Sequence, residues 1–170
     1  MSSESARMTT AEAARFRIDY PNSKPRAIKV IALDPPSERV VKRLAERPWQ
    51  RAAFFTAPRF DAAPRGGAGW SMQAWLSDLA GRTKDLIDEV ASADLVVMVS
   101  SAGTNAEAAA VIAEACSVRK VMTTALIIGS ESKSDEELSK TLASLRPHAS
   151  MLVIANNDDY IEEMLAALRA

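Results

Sequence analysis

Six residues have types and spacing suited to chemistry: Ser100-Ser101-Ala102-Gly103-Thr104-Asn105. They follow the apolar run Leu95-Val96-Val97-Met98-Val99 and precede the alanine-rich stretch from Ala106. A buried strand, a turn of small hydroxylated residues and a helix start make an anion-binding corner. The helix N-terminus offers unpaired N–H groups and a favourable dipole to a phosphate or carboxylate. Ser100, Ser101, Gly103, Thr104 and Asn105 are therefore candidate ligand residues. A purely local explanation stands beside this one. Thr104 and Glu107 fit the S/T-x-x-E capping box and would then only start the helix.

A second candidate is Arg65-Gly66-Gly67-Ala68-Gly69-Trp70. Gly66, Gly67 and Gly69 would let the backbone approach a ligand closely, and Arg65 would supply a cation. The same run also reads as a hinge before a helix. Asp34-Pro35-Pro36-Ser37 stands where a doubly wound protein places its first phosphate loop. Two prolines remove two N–H donors there, and Asp34 adds negative charge. His148, the only histidine, reads as a loop residue. Cys116 reads as a packed thiol, with no basic partner close in sequence. Asp158, Asp159, Glu162 and Glu163 form an acidic helix start that favours the dipole. No Ser/His/Asp set, metal-spaced cluster or P-loop stands out, so neither a catalytic residue nor a metal ligand is assigned.

The elements that must position these residues alternate in type. Residues 27–33, 52–56, 94–100, 121–128 and 151–154 are apolar runs of strand length. Continuous apolarity is expected where both faces of a sheet are covered. Amphipathic stretches intervene. Ser37 is the expected cap of a helix to about Arg47. Ser71 is the expected cap of a helix through Val90, with Trp75 in its core-facing stripe. The third helix spans about 104–117, and Ser134-Asp135-Glu136-Glu137 is a capping-box start for the fourth, ending at Pro147. The last helix carries Ile161, Met164, Leu165 and Leu168. This pattern predicts an α/β fold: a three-layer, Rossmann-like parallel sheet of five strands in the order 2-1-3-4-5. The switch point then falls between strands one and three, at Leu33 and Ser100.

Composition narrows the function. The length of 170 residues predicts one domain, 26–170, after a polar, proline-broken, flexible tail at 1–25. A formal net charge of −1 argues against nucleic acid or an anionic membrane surface as partner. A single cysteine rules out a disulfide within the chain and fits a reducing compartment. No apolar run reaches the ~20 residues of a membrane span, and Met1-Ser2-Ser3-Glu4-Ser5 does not start a signal peptide. A cytoplasmic protein is expected.

Taken together, these pieces resemble the nucleotide-binding domain of the FtsZ/tubulin family of GTPases. The resemblance runs from about Ile28 to Leu168. Ile28-Lys29-Val30-Ile31 resembles that family's first strand. Arg65-Gly66-Gly67-Ala68-Gly69 resembles its Gly-Ala-Gly loop near the γ-phosphate. Ala93-Asp94-Leu95-Val96-Val97-Met98 resembles the strand entering its signature loop, and Gly103-Thr104 the end of that loop. Val153-Ile154-Ala155-Asn156-Asn157 resembles the last strand and the start of the helix that contacts the base. The resemblance thereby adds Asn157 to the ligand candidates and implies GTP or GDP as ligand. The departures fall on the chemistry. Asp34-Pro35-Pro36-Ser37 replaces a glycine cluster, the signature loop is shortened, and Trp70 stands where a small residue would follow. The match does not extend to the family's acidic catalytic loop or second domain. The expectation is an FtsZ/tubulin-like domain without GTPase activity and without a required cofactor. It would serve as a binding, regulatory or self-associating module, with a second copy or another protein as partner. The alternative expectation is a binder of, or enzyme on, a small anionic or nucleotide ligand in the switch-point cleft.

Overall fold

A computed structural model describes residues 24–57, 75–79, 82–104, 106–156 and 158–170. The expected tail at 1–25 lies outside these except for its last two residues.

The first strand, β1 (Ile28–Ala32), leads into helix α1 (Pro35–Ala45). The helix starts earlier than its sequence suggests. Asp34, not Ser37, is the N-cap, with Pro35 and Pro36 at the first two helical positions. Proline is tolerated there because its missing N–H would have been an orphan donor and its φ already suits a helix. Strand β2 (Ala52–Thr56) follows.

The expected cap, Ser71, lies outside the described residues; where the expected helix to Val90 is described, the chain forms instead an antiparallel ribbon, β3 (Trp75–Asp78) and β4 (Thr83–Asp85), and a short helix α2 (Leu86–Ala91). The turn between the strands explains the change. The Asp78 carboxylate accepts from the Arg82 backbone N–H at 2.9 Å and from Arg82 Nε at 2.7 Å, while Asp78 N–H donates to the Arg82 carbonyl. Asp85 then caps α2 by accepting from the N–H groups of Ile87 and Asp88. Aspartates that bond nearby backbone favour turns and caps over helix interiors. The spacing of three and four thus reports a true helix only from Leu86 onward.

The remaining elements are β5 (Leu95–Ser101), α3 (Glu107–Arg119), β6 (Met122–Ile128), α4 (Asp135–Leu145), β7 (Met151–Ala155) and α5 (Asp158–Ala167), with single 3₁₀ turns at Ser130–Ser132 and Arg146–His148. The fold is the expected α/β type with a five-strand parallel sheet, Rossmann-like in its layering. The strand order is corrected. Among the described residues the sheet has seven strands in the order β4-β3-β2-β1-β5-β6-β7. Pairings β2-β1-β5-β6-β7 are parallel, and the ribbon adds two antiparallel strands beside β2. The order 2-1-3-4-5 omits this ribbon and the renumbering it causes.

Strand β5 is buried along its whole length. Its alternate residues feed two cores. Leu95, Val97 and Val99 pack on one face with Val40, Val41 and Leu44 of α1 and Ile161 and Leu165 of α5. Val96 and Met98 pack on the other with Leu86 and Val90 of α2, Ala109 and Ile112 of α3, and Leu145 of α4. Each fully buried Val, Leu, Ile or Met among them stabilises the fold by roughly 1.5–3 kcal/mol. Among the described residues no helix is long and apolar enough to cross a membrane.

Candidate functional site

Strands β1 and β5 are neighbours, and the helices that follow them leave to opposite faces. Their carboxyl ends therefore form the switch point where ligands of such sheets bind. The occupant of this corner is the protein's own carboxylate. Asp34 Oδ1 accepts from the Ser37 N–H at 2.9 Å and from Ser101 Oγ at 2.8 Å. Its Oδ2 accepts from the Ser101 N–H at 2.8 Å and is 3.1 Å from Ser100 Oγ and 3.0 Å from Thr104 Oγ1. The Thr104 hydroxyl also lies 2.7 Å from the Ser101 carbonyl and 3.2 Å from Ser100 Oγ. A hydroxyl has one proton, so Thr104 donates to the carboxylate or to the carbonyl, not to both at once. In return the Ser37 hydroxyl closes a reciprocal capping box on the Asp34 backbone.

The local chain explains this placement. Asp34 leaves β1 in an extended conformation, and the following Pro35-Pro36 fixes the entry into α1. The cap side chain is thereby turned towards the end of β5. Ser100 and Ser101 are the last residues of that strand, and both are buried. Hydroxyls in such a place need partners, and a carboxylate is acceptor enough for several.

The backbone donors of the turn are also committed. Ser101 N–H goes to Asp34, Ala102 N–H to the Ile128 carbonyl at 2.9 Å, Gly103 N–H to Thr141 Oγ1 at 2.9 Å, and Thr104 N–H to the Ser101 carbonyl at 3.3 Å. Gly103 has φ +84°, which suits glycine, and a Cβ there would meet Glu137 Oε1 at 3.2 Å. The Thr104–Glu107 capping box is not formed. Helix α3 starts at Glu107 with Ala106 as N-cap and no side-chain cap bond. Tertiary partners have claimed the Thr104 hydroxyl.

Of the candidates from the sequence, Ser100, Ser101, Gly103 and Thr104 are brought together at this corner. Arg65, Gly66, Gly67, Gly69, Asn105 and Asn157 lie outside the described residues, as does Trp70. The central residue, Asp34, appears in the sequence only as a nearby negative charge. An aspartate directly after a buried strand, facing Ser-Ser at the end of another, is the available signal. The structure also brings His148 and Cys116 to the lining of one hollow of about 290 Å³ at the opposite end of the sheet. Burial pushes the Cys116 thiol up to about 11, so it is protonated at neutral pH and not a nucleophile. Among the described residues no group of three or more His, Cys, Asp or Glu is placed to hold a metal ion.

No family model matches the chain, and no curated protein matches it. Solved structures of translation elongation factor SelB from Methanococcus maripaludis are similar to it. The complex with the GTP analogue GppNHp aligns with a TM-score of 0.49 and 10% identity over 85% of this chain. The apo form aligns with a TM-score of 0.47 and 12% identity over 85%. The chain spans about a third of the length of those SelB chains, 34% and 36%. The parallel strands flanked by helices on both faces make the fold α/β.

Proposed function

We propose that this chain is an FtsZ/tubulin-like domain that neither hydrolyses GTP nor holds it tightly, and that acts as a binding or regulatory module, through a protein partner or a second copy. The observation that carries this reading is the Asp34 carboxylate in the switch-point corner. A phosphate entering there would compete for donors already bonded to an internal anion. It would also meet that anion's charge, and two unit charges 4 Å apart repel by about 4 kcal/mol at an effective dielectric of ~20. Bonds from the N–H groups of residues 101–104 to atoms of the chain itself add to the same reading. The FtsZ/tubulin assignment is supported by the motif order from Ile28 to Leu168 and by a parallel sheet whose switch point falls at the shortened signature loop.

Calorimetric titration of the purified protein with GTP and with GDP, alongside an assay of phosphate release, tests it. The expected result is no saturable heat up to about 1 mM nucleotide and no turnover. Micromolar binding or steady release of phosphate overturns the reading.

A further inference from the structure

The two edges of the sheet differ. Strand β4 ends one side, is three residues long and carries Lys84 and Asp85. Short, charged edges discourage pairing with another chain. Among the described residues β7 ends the other side, and its sequence Met151-Leu152-Val153-Ile154-Ala155 holds no charge and no proline. Met151 and Ile154 are large apolar side chains left 43% and 40% exposed on it. The ladder fixes which backbone groups of β7 face outward. The Ala102 N–H donates to the Ile128 carbonyl, so Ile128 turns its backbone groups towards β5. By the strand period of two, Ala125 and Ile127 turn theirs towards β7, where their register partners are Leu152 and Ile154. In a parallel ladder such a residue bonds the two neighbours of its partner, here residues 151 and 153 for Ala125 and 153 and 155 for Ile127. Leu152 and Ile154 therefore point their N–H and C=O groups away from β6, along the open edge.

We propose that β7 pairs antiparallel with β7 of a second copy of this chain, across a two-fold axis at Val153, to make one continuous sheet. The proposal names the surface for the self-association in the reading above and rests on that reading in this respect alone. Leu152 and Ile154 flank Val153, so the two-fold sets Leu152 of one copy opposite Ile154 of the other, and their outward N–H and C=O groups then satisfy each other. The two side chains share one face of the strand, so Leu152 of one copy covers the exposed Ile154 of the other. The charges fit as well. Exposed Arg146 precedes β7, and exposed Asp159 and Glu163 follow it. An antiparallel pair sets the basic end of each strand beside the acidic end of the other, whereas a parallel pair would set acid against acid. The strand and its flanks are thus self-complementary, which favours a second copy over an unrelated strand as the occupant of this edge.

Sedimentation equilibrium of the full chain tests it. A dimer, with twice the mass of one chain, is expected at about 100 µM. Ile154→Lys should leave a monomer, because it sets a charge opposite Leu152 beside the axis. Ile154→Pro should do the same, since the N–H it removes faces outward and the ladder to β6 is spared. Circular dichroism checks that each variant is folded. Val153→Cys should cross-link to its own copy under mild oxidation, because opposed residues of a non-hydrogen-bonded pair have Cα atoms about 4.5 Å apart, within disulfide reach. Adding Ile154→Lys should abolish that cross-link. A monomer of the unsubstituted chain at the stated concentration overturns the proposal. So does a dimer that both folded Ile154 variants keep, or one in which Val153→Cys does not cross-link. Nucleotide titration is a separate readout. A monomer that binds no GTP removes this pairing and leaves the reading of the Asp34 corner standing, and a dimer that binds GTP does the reverse.

Discussion

Two strand-to-helix corners of this molecule use the same local device. Between β1 and α1, Asp34 caps the helix and Ser37 answers it. Between β6 and α4, Ser134 caps the helix and Glu137 answers it. Both are reciprocal boxes spanning four residues. The difference lies in where the carboxylate points. Asp34 is half-buried and reaches across the sheet to residues 66, 67 and 70 positions away. Glu137 is exposed and, among the described residues, bonds back to Ser134 and pairs with Lys133 at 3.5 Å, both within four positions. One box joins two strand ends and fills the switch-point corner. The other only starts a helix. A cap that faces the interior acquires tertiary partners, and a cap that faces water does not.

The comparison can be broken most sharply at Asp34. Asp34→Ala removes the cap of α1 and leaves the hydroxyls of Ser100 and Ser101 and the Ser101 N–H without their acceptor. Hydrogen bonds to a charged group contribute about 1.5–3 kcal/mol each and are not additive, so a loss on the order of 3–5 kcal/mol is expected in urea denaturation. A loss below about 1 kcal/mol would reduce Asp34 to an ordinary cap. At the other corner the effect should be much smaller. Ser134→Ala should cost about 1 kcal/mol, the usual value of an exposed cap. It keeps the Ser134 backbone N–H and should change the acid limb little, whereas Glu137→Gln should change it. The Ser134 N–H bonded to the carboxylate, then the Lys133 charge, holds the Glu137 carboxyl below its ordinary 4.5. A lowered pKa stabilises the fold above the unfolded value and loses that contribution as pH falls through the folded one. Removing the carboxylate with Glu137→Gln should therefore flatten the fall in stability below about pH 4.5 that this group contributes. An unchanged acid limb would show that the box does not set it.

The same contrast explains what could be read in the sequence. The parallel strands were legible because a strand covered on both faces is continuously apolar, as in residues 95–99. The Ser134 box was legible because all its partners lie within four residues. The Asp34 hub was not, because Ser100, Ser101 and Thr104 lie 66 to 70 positions away and only the topology brings them near. Thr104 shows the converse. Its spacing from Glu107 fits a cap, but the hydroxyl is drawn to the corner and the helix starts at Glu107 uncapped by a side chain. At residues 71–90 the spacing of three and four predicts one helix, and the short-range bonds of Asp78 and Asp85 go with a ribbon at Trp75–Asp78 and Thr83–Asp85 and a helix only from Leu86.

The central claim is that the Asp34 carboxylate itself holds the switch-point corner together. A double-mutant cycle between Asp34→Ala and Ser101→Ala measures this directly, because the Ser101 hydroxyl lies 2.8 Å from Oδ1. The expected coupling is about 1 kcal/mol or more in favour of the intact pair. Independent effects, with a coupling within about 0.3 kcal/mol of zero, would contradict the claim and return the corner to the ligands its position suggests.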